Sequence, residues 1–275
     1  MKSTLCTIVC IFLHLGLVYS QMDIGVGIGY GFPWAVEDIP EGSILYFENG
    51  SRQIEVTKAS FGAGRDYTLS ISHQLKNNTK ISIGCDINYL QGANIAIALK
   101  SSKIDIRTTY KSSMLWISPS LKINFNKNKV SPYMCFSPSI GLFGKISENY
   151  IGNRFAHNLF EIKTVYSSGV AYGINSILGI DGQLFKNSNL SLFAEINSLN
   201  ASFGPKRGEV VKSIKDGVDN LDELGMNKFI IFKDKHINDG TFPSNPDKPV
   251  VATRRYYAFS SLGLKVGMKI QLYNE

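Results

Sequence analysis

From Ser260 to Tyr273 the chain reads SSLGLKVGMKIQLY, and Leu262, Leu264, Val266, Met268, Ile270 and Leu272 take every second position. Ser261, Gly263, Lys265, Gly267, Lys269, Gln271 and Tyr273 stand between them. A helix would bring its apolar residues back every three or four positions, so this long period-two pattern predicts a β-strand with one apolar and one polar face. Only Asn274 and Glu275 follow it. A strand this long in a final position leaves a row of unpaired backbone groups unless it closes onto another strand. Its natural partner is the first strand of the folded chain, which predicts a closed barrel.

Seven earlier segments alternate in the same way, at 24–32, 67–75, 80–89, 115–125, 133–143, 170–185 and 190–203. The turns Lys76-Asn77-Asn78-Thr79, Asn126-Lys127-Asn128-Lys129 and Lys186-Asn187-Ser188-Asn189 are short, polar and Asn-rich, as hairpins require. The other four connections are long, at about 33–66, 90–114, 144–169 and 204–255. Short and long connections strictly alternate, so the short turns and both termini fall at one end. The predicted fold is therefore all-β: an antiparallel up-and-down transmembrane barrel of eight strands, with short periplasmic turns and long extracellular loops. Segments of this length suit tilted strands crossing a bilayer.

Within the long connections, 43–47 and 54–59 flank Asn49-Gly50 as a further hairpin, which would raise the count to ten if it joined the wall. Segments 95–99 and 104–108 read as a tall hairpin extending the third and fourth strands. Ile214, Val218, Leu221 and Leu224 have helix-like spacing, and Pro243, Pro246 and Pro249 predict an extended stretch after them.

Met1 to Ser20 is predicted to be a secretory signal peptide. Lys2 gives the positive start, residues 5–18 an apolar core too short for a spanning helix, and Val18 and Ser20 the small residues before a cut at Gln21. Residues 21–275 then form one outer-membrane barrel domain.

Alternation does not by itself say which face looks inward. A soluble secreted ligand-binding barrel would point its apolar residues in, a membrane barrel would point them out. Here the polar face carries charge of both signs and the apolar face is uniformly large, which favours the membrane form. Asp86, Lys122, Asp181, Glu195, Lys265 and Lys269 all lie on the polar face and are expected to form a charge network inside the barrel. An eight-stranded interior is filled by side chains, and an unpaired buried charge is costly. Gly25, Gly27, Gly29 and Gly31 on the adjoining first strand would leave room for Lys265 and Lys269.

A closing strand with a penultimate aromatic, together with NLSLFAEINSLNASFGPKRGE at 189–209, KDGVDNLDEL and a Pro-rich loop, resembles the porin-like outer-membrane β-barrel proteins of Bacteroidetes. The resemblance covers the chain after residue 20 and its motifs are structural. It implies an outer-membrane location and insertion by the barrel-assembly machinery, and it brings no catalytic set.

The function expected is a non-enzymatic barrel with a structural role or a surface-binding role through its loops, for an extracellular ligand the sequence does not name. The alternatives are a narrow porin-like channel for ions or small solutes, and a lipid-modifying enzyme at the rim using His157. The glycines of GVGIGYG do not open a helix, since a strand continues through them to Pro33, so no nucleotide cofactor is expected. No His/Cys group has metal-ligand spacing. Cys85 and Cys135 fall on opposite faces, which argues against a disulfide. Tyr30, Phe32, Trp34, Tyr67, Tyr89 and Tyr172 sit near strand ends, where aromatic girdles belong. The net charge of +7 suits anionic outer-membrane lipid or lipopolysaccharide at the rim. Its scatter, without a recognition motif, speaks against nucleic acid.

Overall fold

The computed structural model describes residues 21–34, 37–48, 51–75, 78–100, 104–125, 129–154, 158–185, 188–235 and 246–273. The signal-peptide expectation, His157 and Pro243 lie outside them.

Eight strands close the barrel: β1 (Gln21–Pro33), β4 (Gly64–Leu75), β5 (Asn78–Gly92), β7 (Ile104–Asn124), β8 (Val130–Arg154), β10 (Val170–Gln183), β11 (Leu190–Gly204) and β17 (Ser261–Tyr273). Each pairs antiparallel with the next, and β17 returns to β1 in continuous register from Gln21↔Tyr273 to Pro33↔Ser261. Closure gives every wall strand a partner on both sides, the condition for a sheet to cross a hydrocarbon layer. The hairpin of β2 (Glu37–Glu48) and β3 (Ser51–Ala59) forms a separate two-stranded sheet, so the wall holds eight strands and not ten.

The apolar face points out. Val26, Ile28, Leu69, Ile71, Ile140, Ile174, Leu178, Ile196, Leu264 and Ile270 are all exposed, while Ser118, Ser137, Ser139, Asn88 and Lys265 are buried. Tyr30, Phe32, Trp34, Tyr67, Tyr89 and Tyr172 are exposed as well. A soluble barrel inverts this arrangement.

The long connections after β5, β8 and β11 are largely strand, not loop. β7 and β8 run on past the wall, pairing from Ser113↔Lys145 to Ile104↔Arg154. They form the centre of an extracellular sheet. β6 (Ile95–Lys100) flanks β7. On the other side, β9 (Asn158–Ser167), β12 (Arg207–Lys215), β14 (Phe229–Lys233) and β15 (Val250–Thr253) follow β8 in that order. The two-residue strands β13 (Val218–Asp219) and β16 (Tyr257–Ala258) pair with β12 and β11.

The predicted helix around Ile214 is absent. A bulge between Val210 and Lys212 shifts the strand's parity. After it Ile214 belongs to β12, and Leu224 falls in a 3₁₀ turn at Asp222–Lys228.

The change from wall to extension occurs at one bulge. Leu115 pairs with Leu142, but Ser113 pairs with Lys145, so β8 carries one residue more than β7 across this step. Phe143 sits there at φ 54. Before it Ile140 points out and Gly141 in; after it Gly144 and Ile146 point in and Lys145 out. A Cβ on Gly144 would stand 2.5 Å from Met114 Cε and 2.7 Å from Phe203 Cε2, which explains the glycine.

Candidate functional site

The lumen is stacked in layers from the periplasmic mouth upward. Gln271 Nε2 donates to Asp23 Oδ1 at 3.2 Å. Above them Lys122 Nζ lies 2.5 Å from Asp181 Oδ2, and Lys269 Nζ lies 3.5 Å from the same oxygen. Both ammonium groups also face the Tyr133 ring, at 3.8 and 4.7 Å from its centroid. Cation–π attraction strengthens as water is excluded. Tyr133 OH donates to Glu195 Oε1 at 2.5 Å. Tyr133 is thus the hub between Lys122, Lys269 and Glu195.

The next layer is Lys265, almost wholly buried, with Nζ 2.8 Å from Asp66 Oδ2 and donating to Asn88 Oδ1 at 3.3 Å. Thr68 Oγ1 donates to the same Asn88 oxygen at 2.6 Å. Register places Gly29 opposite Lys265 and Gly25 opposite Lys269. A Cβ on Gly29 would lie 3.2 Å from Lys265 Cβ, so the glycines of β1 give the lysine stems their space.

The six charged residues singled out in the sequence are therefore distributed as follows. Lys122, Asp181 and Lys269 meet directly, and Glu195 joins them through Tyr133. Lys265 pairs instead with Asp66. Asp86 feels the charges of Lys265 and Glu195 but has no ion pair within 4 Å among the described residues. Two members were missed. Alternation read from Tyr67 onward omits Asp66, the residue just before it, and extending the pattern by one residue includes it. Tyr133 shares parity with Ser137 and Ser139, but an aromatic at a strand end reads as a girdle residue.

Above the charges, Ser118 and Ser139 share a hydrogen bond at 2.8 Å, and Asn175 and Trp116 border a cavity of about 30 Å³. Trp116 Nε1 and Asn175 Oδ1 have no protein partner there. That volume suits water rather than a passing solute. Over it lies an apolar plug of Phe61, Leu90, Met114, Trp116, Phe203 and Phe259. Phe61 comes from the inward-folded link 60–63 between β3 and β4. Its N–H donates to Ala258 O at 3.0 Å, and its carbonyl accepts from Ser112 Oγ at 2.8 Å. Ser60 Oγ donates to Ser260 O at 2.5 Å. Phe259 in turn contacts the rings of Phe61, Trp116 and Phe203. The periplasmic end is open by contrast, with a blind vestibule of about 330 Å³ bordered by Asp23, Lys122, Lys129, Asp181 and Lys269.

Above the plug, Tyr110 and Tyr166 both donate to Glu148, Tyr110 at 3.0 Å. Burial, reinforced by the Glu148 carboxylate that accepts its proton, holds the Tyr166 phenol well above the usual tyrosine range. On the outer side Lys212 Nζ lies 2.6 Å from Glu161 Oε2, and that hydrogen bond lowers the Glu161 carboxyl below the usual range.

A closed eight-stranded antiparallel barrel with an apolar exterior, a polar interior and short turns beside both termini defines an outer-membrane β-barrel protein. No family model matches the chain, and no curated protein does. Among solved structures the chain is similar to the outer membrane protein OprG from Pseudomonas aeruginosa, at 12% identity over 93% of this chain and 97% of that one, with a TM-score of 0.38. It is also similar to the toluene transporter TbuX of Ralstonia pickettii, at 8% identity over 94% and 90% with a TM-score of 0.18. The ΔS2S3 mutant of the monoaromatic hydrocarbon channel TodX gives 7%, 92%, 90% and 0.18.

Proposed function

We propose that this protein is a non-enzymatic outer-membrane barrel, closed to solutes in its resting form, that works through the sheet it raises above the membrane. The observation that carries this reading is the plug. A polar lumen that ends under Phe61, Phe259, Met114 and Phe203 offers no continuous aqueous path, while the extracellular strands form an ordered surface rather than loose loops. The stretch 189–209, which resembles the porin-like Bacteroidetes barrels, covers β11 and the start of β12, where wall passes into that sheet. Membership of that group and insertion by the barrel-assembly machinery are part of the same reading.

The test is planar-bilayer recording of the purified, folded protein. Silence across physiological voltages supports a closed barrel, whereas steady unitary currents would replace this reading with a channel. The channel is the second reading, favoured by the vestibule at the periplasmic mouth, which leads ions as far as Lys122 and Asp181. A rim enzyme would instead lose a lipid-modifying activity on His157→Ala.

A further inference from the structure

The two faces of the extracellular sheet differ. Its inner face, which continues the lumen, buries Ile97, Ile106, Thr108, Tyr110, Ile146 and Phe232. Its outer face, which continues the lipid-facing wall, carries Arg107, Lys111, Lys145, Lys163, Arg207 and Lys212, against Glu161 and Glu209.

Register stacks these cations in tiers above the exposed ring of Phe143. Lys145 opposes Ser113 and lies two residues past Phe143. Arg207 opposes Ser167, one step beyond the Ile146↔Tyr166 pair, and so stands in the same lowest tier. Lys111, opposite Ser147, is one tier higher. Lys163, opposite Asn149, and Lys212, opposite Lys163, form the third. Arg107, opposite Ile151, stands one tier above these. With a rise of about 3.3 Å per residue, adjacent tiers stand roughly 7 Å apart and the four span about 20 Å.

Lys163 and Lys212 are like charges directly opposite one another, a pairing that destabilises a sheet. Glu161 answers only one of them directly, at Lys212. Neither burial nor internal pairing accounts for this arrangement.

We infer that the outer face of the extracellular sheet binds the phosphorylated glycolipid of the outer leaflet. Three features select that occupant. The face is continuous with the lipid-facing wall, so the lipid beside the barrel is the molecule standing against it. The charge complements phosphate, and basic residues close to an anionic membrane surface are attracted to it. The tiers also extend beyond one headgroup layer, so a phospholipid with a single phosphate level would leave the upper cations idle. A glycolipid bearing anionic groups at several heights meets all of them. The inference rests on the extracellular orientation proposed above.

The test uses the full folded protein in non-ionic detergent, titrated by microscale thermophoresis with lipopolysaccharide and with the same material after enzymatic removal of its phosphates. The protein is expected to bind the phosphorylated form at least tenfold more tightly. Lys111→Gln/Lys145→Gln/Arg207→Gln is expected to lose at least tenfold of that affinity and to flatten its salt dependence. Lys80→Gln/Lys129→Gln/Lys235→Gln, with the same number of positive charges removed away from this face, should bind as the parent does. Equal affinity for both lipids, or an unaffected first variant, overturns the proposal, including the case in which an acidic protein is the true partner. An unchanged heat-dependent shift in gel mobility certifies that each variant is folded. Protease digestion of whole cells, cutting the sheet or sparing it, tests the orientation separately.

Discussion

At the scale of single residues, Asp181 answers two ammonium groups at once, with Lys122 at 2.5 Å and Lys269 at 3.5 Å, in a lumen where both lysines are largely buried. Removing one partner of a buried ion pair leaves an uncompensated charge and costs about 3–5 kcal/mol. Asp181→Asn is accordingly expected to lower the urea resistance of the folded barrel by an amount of that order. Adding Lys122→Met and Lys269→Met should recover most of the loss. A single substitution with no effect on urea unfolding would show that the pair is already compensated by water from the vestibule. Four of the charged positions that meet or link through Tyr133 were readable because strand parity needs no knowledge of the third dimension. Asp66 and Tyr133 were not, for different reasons. Asp66 depends on where a strand begins, and strand ends carry the weakest periodicity. Tyr133 is amphipathic, so its type fits a girdle as well as a lumen, and only the carboxylate of Glu195 decides between them.

At the scale of elements, parity fails wherever an extra residue enters a strand. The bulge at Phe143 turned the outer half of β8 into an apparent loop, because Ile146, Glu148 and Tyr150 face inward out of phase with Ser137 and Ser139. The helical spacing from Ile214 to Leu224 has another origin: the chain reverses at Asp216–Gly217, both at positive φ, and carries these residues through β12, β13 and a 3₁₀ turn, so they share no face of one element. Deleting Phe143 should therefore be informative: a one-residue slip moves every following side chain to the other face. The eight-stranded wall below is expected to persist, with its gel-mobility shift intact, while residues 145–154, 158–167 and 207–215 of the extracellular sheet become sensitive to protease. Retained protection would mean the sheet is held by its own edges rather than by the register of β8. The same sheet should also be sensitive to alkali. Tyr166 has a raised phenol pKa in the folded state, through burial and then Glu148. Its contribution is fully present below the unfolded tyrosine value of about 10 and is lost as pH rises further, since the unfolded chain releases the proton first. The urea resistance of the extracellular sheet should fall as pH rises above about 10, and Tyr166→Phe should remove that part of the pH dependence.

At the scale of the whole molecule, one face rule was legible and one was not. Period-two alternation carries the membrane-facing surface, because lipid favours apolar residues at the outward positions along the wall. It does not carry the plug, where Trp116, Phe203 and Phe259 are apolar and yet inside. The lumen changes from charged to apolar along its length, and this gradient runs across strands rather than along any one of them. Its consequence is that two barriers act in series, the plug above and the Lys265–Asp66 and Lys122–Asp181 layers below. Phe61→Ala/Phe259→Ala separates them. Truncating a buried phenylalanine costs about 3–5 kcal/mol, so the variant must first be shown to keep its heat-dependent mobility. A folded variant is expected to give small, flickering currents where the parent is silent, because the serine and asparagine chamber then meets the outside solution while the ion-paired layers still narrow the path. If the variant is as silent as the parent, the charged layers alone close the barrel and the plug serves only to anchor the extracellular sheet. A large, steady conductance would instead make the plug the sole barrier, and Lys122, Lys265 and Lys269 the lining of an open pore.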